Sequence, residues 1–354
     1  MKRHLSAVLL FSAVAVASLH VQWLPEETIP QHGREGWEIS SCSGDAWFYL
    51  QQAAGGPSIA PYKYRVLWPW AVGAVSRATH IPIPATWAWL NAACAVLAAF
   101  ALCYMLEMEF GYRRESALLG GVLLLASYPM AHAMPYPLVD VPAVLFSILI
   151  FRAVLSRNLL AFLLFSGLGI ATKEILVVAA LMWFCTALPR LRPSDMLACL
   201  WPPAVFVGIR LALGGAALEV NYGLNPLAGE WPSYGTRLFT FWGAVHISAA
   251  MAAAFGPLWL GVFGIFKNRE LRRQLPTVCA VITATILLSS RIGRPLGILA
   301  PFIIPGALAM IDARKLPRET RPRLTTGKTR RETHKEAGDE TKGRKDANSA
   351  LFNF

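Results

Sequence analysis

The chain alternates long apolar stretches with short polar connections, a pattern typical of helical membrane proteins. A bilayer core needs about 20 consecutive apolar residues per helix, and most of the stretches approach that length. Together with the N-terminal stretch in residues 1–22, they predict an all-α protein with about ten transmembrane helices. The other stretches cover roughly residues 84–106, 116–134, 138–155, 159–172, 175–188, 196–213, 238–266, 277–290 and 295–312.

The N-terminal stretch has two readings. Its sequence "MKRHLSAVLLFSAVAVASLHVQWL" begins with basic residues and continues with an apolar run. Because many further stretches follow, we expect a retained first span. The segment "AVAS" also fits the small-residue cleavage site of a secretory signal peptide, so that alternative stays open.

Two of the apolar stretches, 159–172 and 175–188, are short and flank Lys173 and Glu174. They could form two spans, or one long helix with a buried ion pair. With two spans, the basic connections "EFGYRRE", "RAVLSRN", "PRLRPSD" and "KNRELRRQ" all fall on the side of Lys2 and Arg3. Basic connections collect on the cytoplasmic side of membrane proteins. The pattern therefore predicts a hairpin with Lys173 and Glu174 at its outer mouth.

The composition is typical of a membrane protein, and the C-terminal segment supplies half of the positive net charge. Hydrophobic residues make up 55% of the chain and charged residues 15%, with a mean hydropathy of +0.45, whereas soluble domains are about 25% charged. Half of the net charge of +12 comes from residues 314–354, which we expect to be a disordered cytoplasmic tail. We predict a transmembrane domain over residues 1–313, with both termini on the cytoplasmic side of a bacterial inner membrane, and no nucleic-acid partner.

The sequence offers little for metal or nucleotide chemistry. Its six cysteines form no CxxC pair and no His/Cys cluster, so neither a disulfide framework nor a zinc site is expected. No glycine-rich phosphate loop is present, so a nucleotide cofactor is not expected either. A divalent metal has no support from the residues.

The predicted outer face carries a spaced set of ionisable and aromatic residues. The first outer loop, residues 23–83, contains "SGDAWFYLQQAAGGPSIAPYKYRVLWPW", and further polar residues begin or end later spans. Ionisable residues near a membrane core are functional candidates by default. The candidate catalytic residues are Asp45, Asp140 and Glu174, and the candidate substrate-binding residues are Tyr49, Lys63, Arg65, Lys173, Arg291 and Arg294.

Each candidate taken alone also has a simpler structural reading. Asp45 and Asp140 could each be the N-cap of a helix. Lys63 and Arg65 could anchor the loop by snorkelling to the interface. Lys173 could simply neutralise Glu174.

As a set, the candidates fit a lipid-phosphate site. Cations at the outer bilayer edge suit a phosphate or pyrophosphate head group. A nearby carboxylate suits a general base, and aromatic residues suit packing against a sugar.

The order of these features over roughly residues 1–312 resembles the GT-C superfamily of polytopic membrane glycosyltransferases. The matching segments are "SGDAWFYLQQAAGG", "PYKYRVLWP", "YPMAHAMPYPLVDVPAVLF", "GIATKEILVVAAL" and "GRPLGILAPFIIPGALAMI". Many bacterial GT-C-like proteins show an acid–aromatic loop, a YR-x-L-x-P element, a K/R-E element after small residues and a late Arg before an apolar, Pro-containing span. The resemblance implies a GT-C-like core, an active site on the outer face and a polyprenyl-phosphate-linked sugar as donor.

The resemblance also implies roles for residues at the matching positions. Asp45 would act as base or orient the acceptor, which could be a glycan, a lipid or a protein. Lys63 and Arg65 would contact the donor phosphate or hold the loop against the membrane, and Arg294 would be a second phosphate contact. Lys173 and Glu174 would line the cavity. Family members often carry two adjacent acids in this loop, whereas here Gly44 precedes a single Asp45.

Two other functions stay open at this stage. A transporter or flippase for a lipid-linked solute predicts charges at mid-membrane depth and pseudo-symmetry between the two halves. A non-catalytic membrane partner on a GT-C-like scaffold predicts that Asp45 can be replaced freely.

Overall fold

The computed structural model describes residues 7, 9–15, 44–188, 190–215, 240–288 and 294–311. Within these ranges all regular structure is helical, which confirms the all-α prediction. The predicted tail, residues 16–43 of the N-terminal region and Arg291 lie outside them. The helices are α1 (residues 9–15), α2 (Gly44–Ala53), α3 (Leu67–Thr79), α4 (Ile83–Met108), α5 (Arg114–Ala126), α6 (Tyr128–Ala133), α7 (Asp140–Leu155), α8 (Leu159–Thr172), α9 (Ala179–Ala187), α10 (Pro193–Ala212), α11 (Phe241–Phe255), α12 (Gly261–Ile265), α13 (Arg269–Arg273), α14 (Leu275–Leu288) and α15 (Ala300–Ile311). Short 3-10 segments cover Tyr62–Tyr64, Glu174–Val178, Gly256–Leu260 and Pro295–Leu299.

Most helices lie in the predicted apolar stretches. The helices α2 and α3 instead lie in the predicted first outer loop, residues 23–83, and α13 lies in the basic connection "KNRELRRQ". Three helical segments in the described chain are long and apolar enough to cross a membrane: Ile83–Met108, Pro193–Ala212 and Gly243–Ile265. Four shorter apolar helices accompany them: Leu159–Thr172, Glu174–Ala187, Leu275–Ile286 and Pro295–Ile311.

The predicted stretch 116–134 is not one helix but two, α5 and α6. Ser127 separates them in an extended conformation, and Pro129 lies in the first turn of α6. In a continuous helix the Pro129 ring would clash with the carbonyl of Leu125. The chain therefore breaks and restarts, with the Ser127 hydroxyl donating to the Leu124 carbonyl at 2.6 Å.

The chain reverses direction at Lys173, as the basic connections predicted. Lys173 has an extended backbone that ends α8. Phe162 near the start of α8 packs on Trp183 in the middle of α9, with ring centroids 4.7 Å apart. Arg157 donates to the Thr186 carbonyl at the same end of the pair. These contacts make α8 and α9 an antiparallel hairpin and exclude a single continuous helix.

Buried polar side chains on α4 hold the chain that leads into α7. The amide of Asn91 is fully buried and donates to the Tyr136 carbonyl at 3.0 Å. The indole of Trp87 donates to the Leu138 carbonyl at 3.1 Å. Since an unpaired buried backbone carbonyl is costly, these bonds fix the non-helical segment just before Asp140.

Glycines bring α12 and α15 into backbone contact. A Cβ placed on Gly264 would lie 1.8 Å from the Gly306 carbonyl oxygen, and one on Gly261 would lie 2.2 Å from the Ile303 carbonyl oxygen. The 3-10 segment before α15 is bonded to α7, because the Ser147 hydroxyl donates to the Ile298 carbonyl at 2.6 Å. Arg294, directly before this segment, therefore has a firmly packed support.

Candidate functional site

A cavity of about 490 Å³ lies among α2, α7, α9, α10, α14 and the segments around Arg65, Glu174 and Arg294. The structure places seven of the nine predicted site residues in its lining: Asp45, Tyr49, Arg65, Asp140, Lys173, Glu174 and Arg294. These residues are up to 249 positions apart in the chain. The fold thus brings together in one cavity residues that the sequence only placed on one side of the protein.

Asp45 accepts two hydrogen bonds from side chains that follow it in the chain. The Tyr62 hydroxyl donates to its Oδ1 at 2.7 Å, and Arg294 donates through Nη2 to its Oδ2. Asp45 lies in the first turn of α2, which begins at Gly44, so the N-cap reading is wrong. The helix starts two residues earlier than an N-cap at Asp45 requires, and the carboxylate is turned toward Tyr62 and Arg294 instead.

The surroundings of Asp45 keep its carboxylate ionised. Burial by itself raises the pKa of Asp45, but the charge of Arg294 and the Tyr62 hydrogen bond act in the opposite direction. The net result is a pKa below the usual value of 3.8.

Arg294 is buried, with a side chain that is 7% exposed, yet it uses only part of its hydrogen-bonding capacity. A guanidinium carries five N–H donors. Its Nη1 lies 4.0 Å from Asp140 Oδ2, beyond hydrogen-bonding distance. Its Nε and Nη1 have no hydrogen-bond partner in the described part of the chain. A buried cation with unused donors in a cavity wall is suited to a bound anion.

Asp140 and Lys173 form the most deeply buried ion pair of the site. The Lys173 ammonium donates to Asp140 Oδ1 at 2.5 Å, and the two side chains are 8% and 7% exposed. Val139 is the N-cap of α7, and the cap makes no side-chain hydrogen bond. The N-cap reading of Asp140 is therefore wrong, because its carboxylate is bound by Lys173.

Glu174 pairs with Arg65 through two parallel hydrogen bonds. Arg65 donates through Nε to Oε2 and through Nη2 to Oε1, each at 2.6 Å, and its Nη1 donates to the Tyr49 hydroxyl. Such bidentate pairs are strong and directional. The snorkelling reading of Arg65 is wrong, because the guanidinium points into the cavity.

Lys173 and Glu174 do not neutralise each other, which corrects another of the simple readings. Lys173 has an extended backbone, and neighbouring side chains in an extended chain point to opposite sides. Each residue therefore reaches a partner from a distant part of the sequence.

Of the two remaining predicted residues, Lys63 is not part of the cavity lining. The Lys63 ammonium lies 4.9 Å from the centroid of the Tyr64 ring. Arg291 lies outside the described residues.

Sequence reasoning missed Arg210, which also lines the cavity. Its side chain is buried, and its guanidinium lies 4.5 Å from the Tyr64 ring centroid and 4.4 Å from that of Phe206. The available signal was that Arg210 is the only charged residue in the apolar stretch 196–213. A charge inside such a stretch marks a functional candidate.

The cavity lining combines a group of ion-paired side chains with a set of apolar residues. The apolar lining consists of Ile175, Val177, Val178, Ala180, Leu181, Phe206, Ala280, Val281 and Ala284. Among the described residues, no three His, Cys, Asp or Glu side chains cluster as metal ligands. The described carboxylates of the lining are each bound by a cation instead, a donor set that does not fit a divalent metal.

No family model, no curated protein and no solved structure matches the chain.

Proposed function

We propose that this protein is a membrane glycosyltransferase with a GT-C-like core of about ten spans. It would move a sugar from a polyprenyl-phosphate carrier to an extracytoplasmic acceptor. The observation that carries this proposal is the cavity itself, in which cations and a buried carboxylate are combined with apolar residues. A lipid phosphate likewise combines a charged head group with a hydrocarbon chain.

The helix pattern supports the proposed topology. Three helical segments of the described chain are long enough to cross a membrane, and four shorter apolar helices accompany them. The reversal of the chain at Lys173 supports the arrangement that keeps the basic connections on one side. In that arrangement the cavity opens on the outer face of a bacterial inner membrane, and both termini are cytoplasmic.

The charged residues of the cavity would hold the phosphate of the donor. Arg294 offers unused buried donors, and Lys173 and Arg65 add positive charge nearby. The hydrocarbon of the donor would lie along the apolar residues of α9, α10 and α14. Such burial is favourable by about 25 cal/mol per Å² of apolar surface.

Asp45 would act as the general base. The acceptor hydroxyl oxygen attacks the anomeric carbon and forms the new glycosidic bond, and its proton passes to the Asp45 carboxylate. The bond between that carbon and the phosphate oxygen breaks, and its electron pair leaves with polyprenyl phosphate. The leaving phosphate gains one negative charge, which the surrounding cations stabilise.

The test is transfer of labelled sugar from a polyprenyl-phosphate donor by the purified full-length protein. Asp45→Asn removes the proton acceptor with little change in shape, and we expect at least a 100-fold loss, the typical contribution of a general base. Glu107→Gln is the matched control, because Glu107 pairs with Arg114 outside the cavity. Wild-type turnover by Asp45→Asn would refute the base assignment.

One observation favours a second function, that of a non-catalytic lipid-binding partner. Asp45, Asp140 and Glu174 are each bound by a cation, as in a purely structural network. This alternative predicts that the protein binds the lipid phosphate but that Asp45→Asn leaves its cellular role intact.

A further inference from the structure

The base and the proposed anion site share one side chain, Arg294. Its Nη2 donates to Asp45, and its Nε and Nη1 lack a hydrogen-bond partner in the described part of the chain. An anion that enters the cavity to use these donors therefore meets a guanidinium that already holds a carboxylate.

The other two ion pairs of the cavity are less open to exchange. Arg65 holds Glu174 with two parallel hydrogen bonds. The pair between Lys173 and Asp140 is almost fully buried. Asp45 is bound by Arg294 through one nitrogen atom only, and its side chain is 22% exposed, about as much as that of Glu174 at 21% and more than that of Asp140 at 7%. The Arg294 contact is thus the one that a ligand anion can replace at the lowest cost.

We propose that the bound donor phosphate displaces Asp45 from Arg294 and thereby releases the base. This inference rests on the proposed function. The incoming phosphate brings a negative charge to Arg294, so the guanidinium remains compensated when the carboxylate leaves. The Asp45 carboxylate then loses the cation that makes it a weak proton acceptor.

Tyr62 is the positioning residue in this exchange. Its hydroxyl donates to Asp45 Oδ1 at 2.7 Å, the oxygen that Arg294 does not bind. The Tyr62 ring is itself fixed, since it stacks on Phe48 with centroids 4.9 Å apart. The carboxylate can therefore leave Arg294 without leaving the cavity, and its Oδ2 becomes free to accept the proton of the acceptor hydroxyl.

The exchange couples proton transfer to donor binding. Without donor, Asp45 is held by Arg294 and is a poor base. When the donor is bound, its phosphate binds Arg294. The Oδ2 atom of Asp45 is then free to accept the proton of the acceptor hydroxyl. The order of events follows from one shared guanidinium and needs no movement of a helix.

The first measurement is binding of farnesyl phosphate to the full-length protein in detergent. Asp45→Asn removes the competitor for Arg294, so we expect the dissociation constant to fall at least about fivefold, within the usual range for coupled sites. The matched control Glu174→Gln removes the same charge from the cavity but no competitor for Arg294, since Glu174 pairs with Arg65. It therefore measures the general effect of charge and should tighten binding less than Asp45→Asn, and equal tightening by the two variants would contradict the displacement. Unchanged or weaker binding by Asp45→Asn would overturn the proposal.

The second measurement uses the unmodified protein, so it does not depend on how a variant folds. An apolar carbodiimide reacts with carboxyl groups that are not held in an ion pair, and peptide mass spectrometry can locate the adduct. We expect farnesyl phosphate to increase modification of Asp45. Less modification of Asp45 in the presence of farnesyl phosphate would contradict the exchange. That result is expected of a ligand that covers Asp45 without displacing it from Arg294.

The two proposals can fail separately. If farnesyl phosphate frees Asp45 but no sugar is transferred, the exchange stands and the glycosyltransferase proposal falls. If sugar is transferred while Asp45 stays protected, the glycosyltransferase proposal stands and the exchange at Arg294 falls.

Discussion

The Lys173 ammonium lies 2.5 Å from the carboxylate of Asp140, 33 positions away in the chain, although the acid Glu174 is its neighbour in sequence. Both partners are almost fully buried. Removing one member of such a pair leaves an uncompensated charge in the protein interior.

Replacement of Lys173 should therefore destabilise the protein strongly. For Lys173→Met we expect a loss of about 3–5 kcal/mol in the free energy of unfolding, measured by thermal or denaturant unfolding in detergent. The double variant Lys173→Met/Asp140→Leu should recover much of the loss, because it removes both charges. Lys267→Met at an exposed position should change little, and an equal loss there would contradict the explanation.

A side chain at Gly264 should separate α12 from α15. For Gly264→Ala we expect a loss of about 1–3 kcal/mol, the usual cost of overpacking, because the new Cβ would meet the Gly306 carbonyl. Gly208→Ala is the control within a helix, since a Cβ there meets no atom within 4 Å, and it should be neutral or slightly stabilising. Equal stability of the two variants would show that the close backbone contact is not needed.

Thr285→Val should stabilise the protein without ligand by about 1 kcal/mol. The Thr285 hydroxyl is buried in the cavity wall and has no hydrogen-bond partner in the described ranges, and an unsatisfied buried polar group costs about 1–3 kcal/mol.

Thr172→Val provides the contrast to Thr285→Val. The Thr172 hydroxyl donates to the Leu168 carbonyl at 2.9 Å, so its removal should give no gain. A loss of stability in Thr285→Val would indicate that its hydroxyl has a partner after all. Unfolding midpoints of the two variants, measured side by side, decide the matter.

The contribution of Asp45 to stability should depend on pH in one direction. Its pKa in the folded protein is lower than the usual value of 3.8, so the folded state binds this proton less readily than the unfolded chain does. The stabilisation is present above about pH 4 and is lost as the pH falls through the folded pKa.

The difference in unfolding free energy between wild type and Asp45→Asn, measured from neutral to acid pH, should accordingly shrink below about pH 4. A difference that grows with acidification would contradict the ion pair between Asp45 and Arg294.

The positions of the helices could be predicted from the sequence because apolar stretches of helical length are a direct signal. The hairpin at Lys173 followed from the distribution of basic connections. The helix break at Ser127 was not predicted. Pro129 was a signal for it, but the stretch 116–134 is largely apolar, a pattern that predicts one helix.

The pairing within the site could not be predicted in the same way. Adjacent opposite charges suggested that Lys173 neutralises Glu174, whereas their actual partners are Asp140 and Arg65, chosen by tertiary packing. The grouping of the charges on one side of the protein needed only the predicted topology. Which carboxylate meets which cation depends on side-chain directions that no local pattern contains. Arg210 carried a local signal, as the one charge in its apolar stretch.

The shortness of α8 has a consequence for the surrounding bilayer. Its 14 residues rise about 21 Å, well below the roughly 30 Å thickness of a bilayer's hydrocarbon core. If α8 crosses the bilayer as proposed, the membrane around it becomes thinner there, or the polar ends are drawn inward. Lipid head groups beside Lys173 would then sit deeper than elsewhere, and the proposed lipid-linked substrate would reach the cavity with its phosphate still hydrated for most of the way.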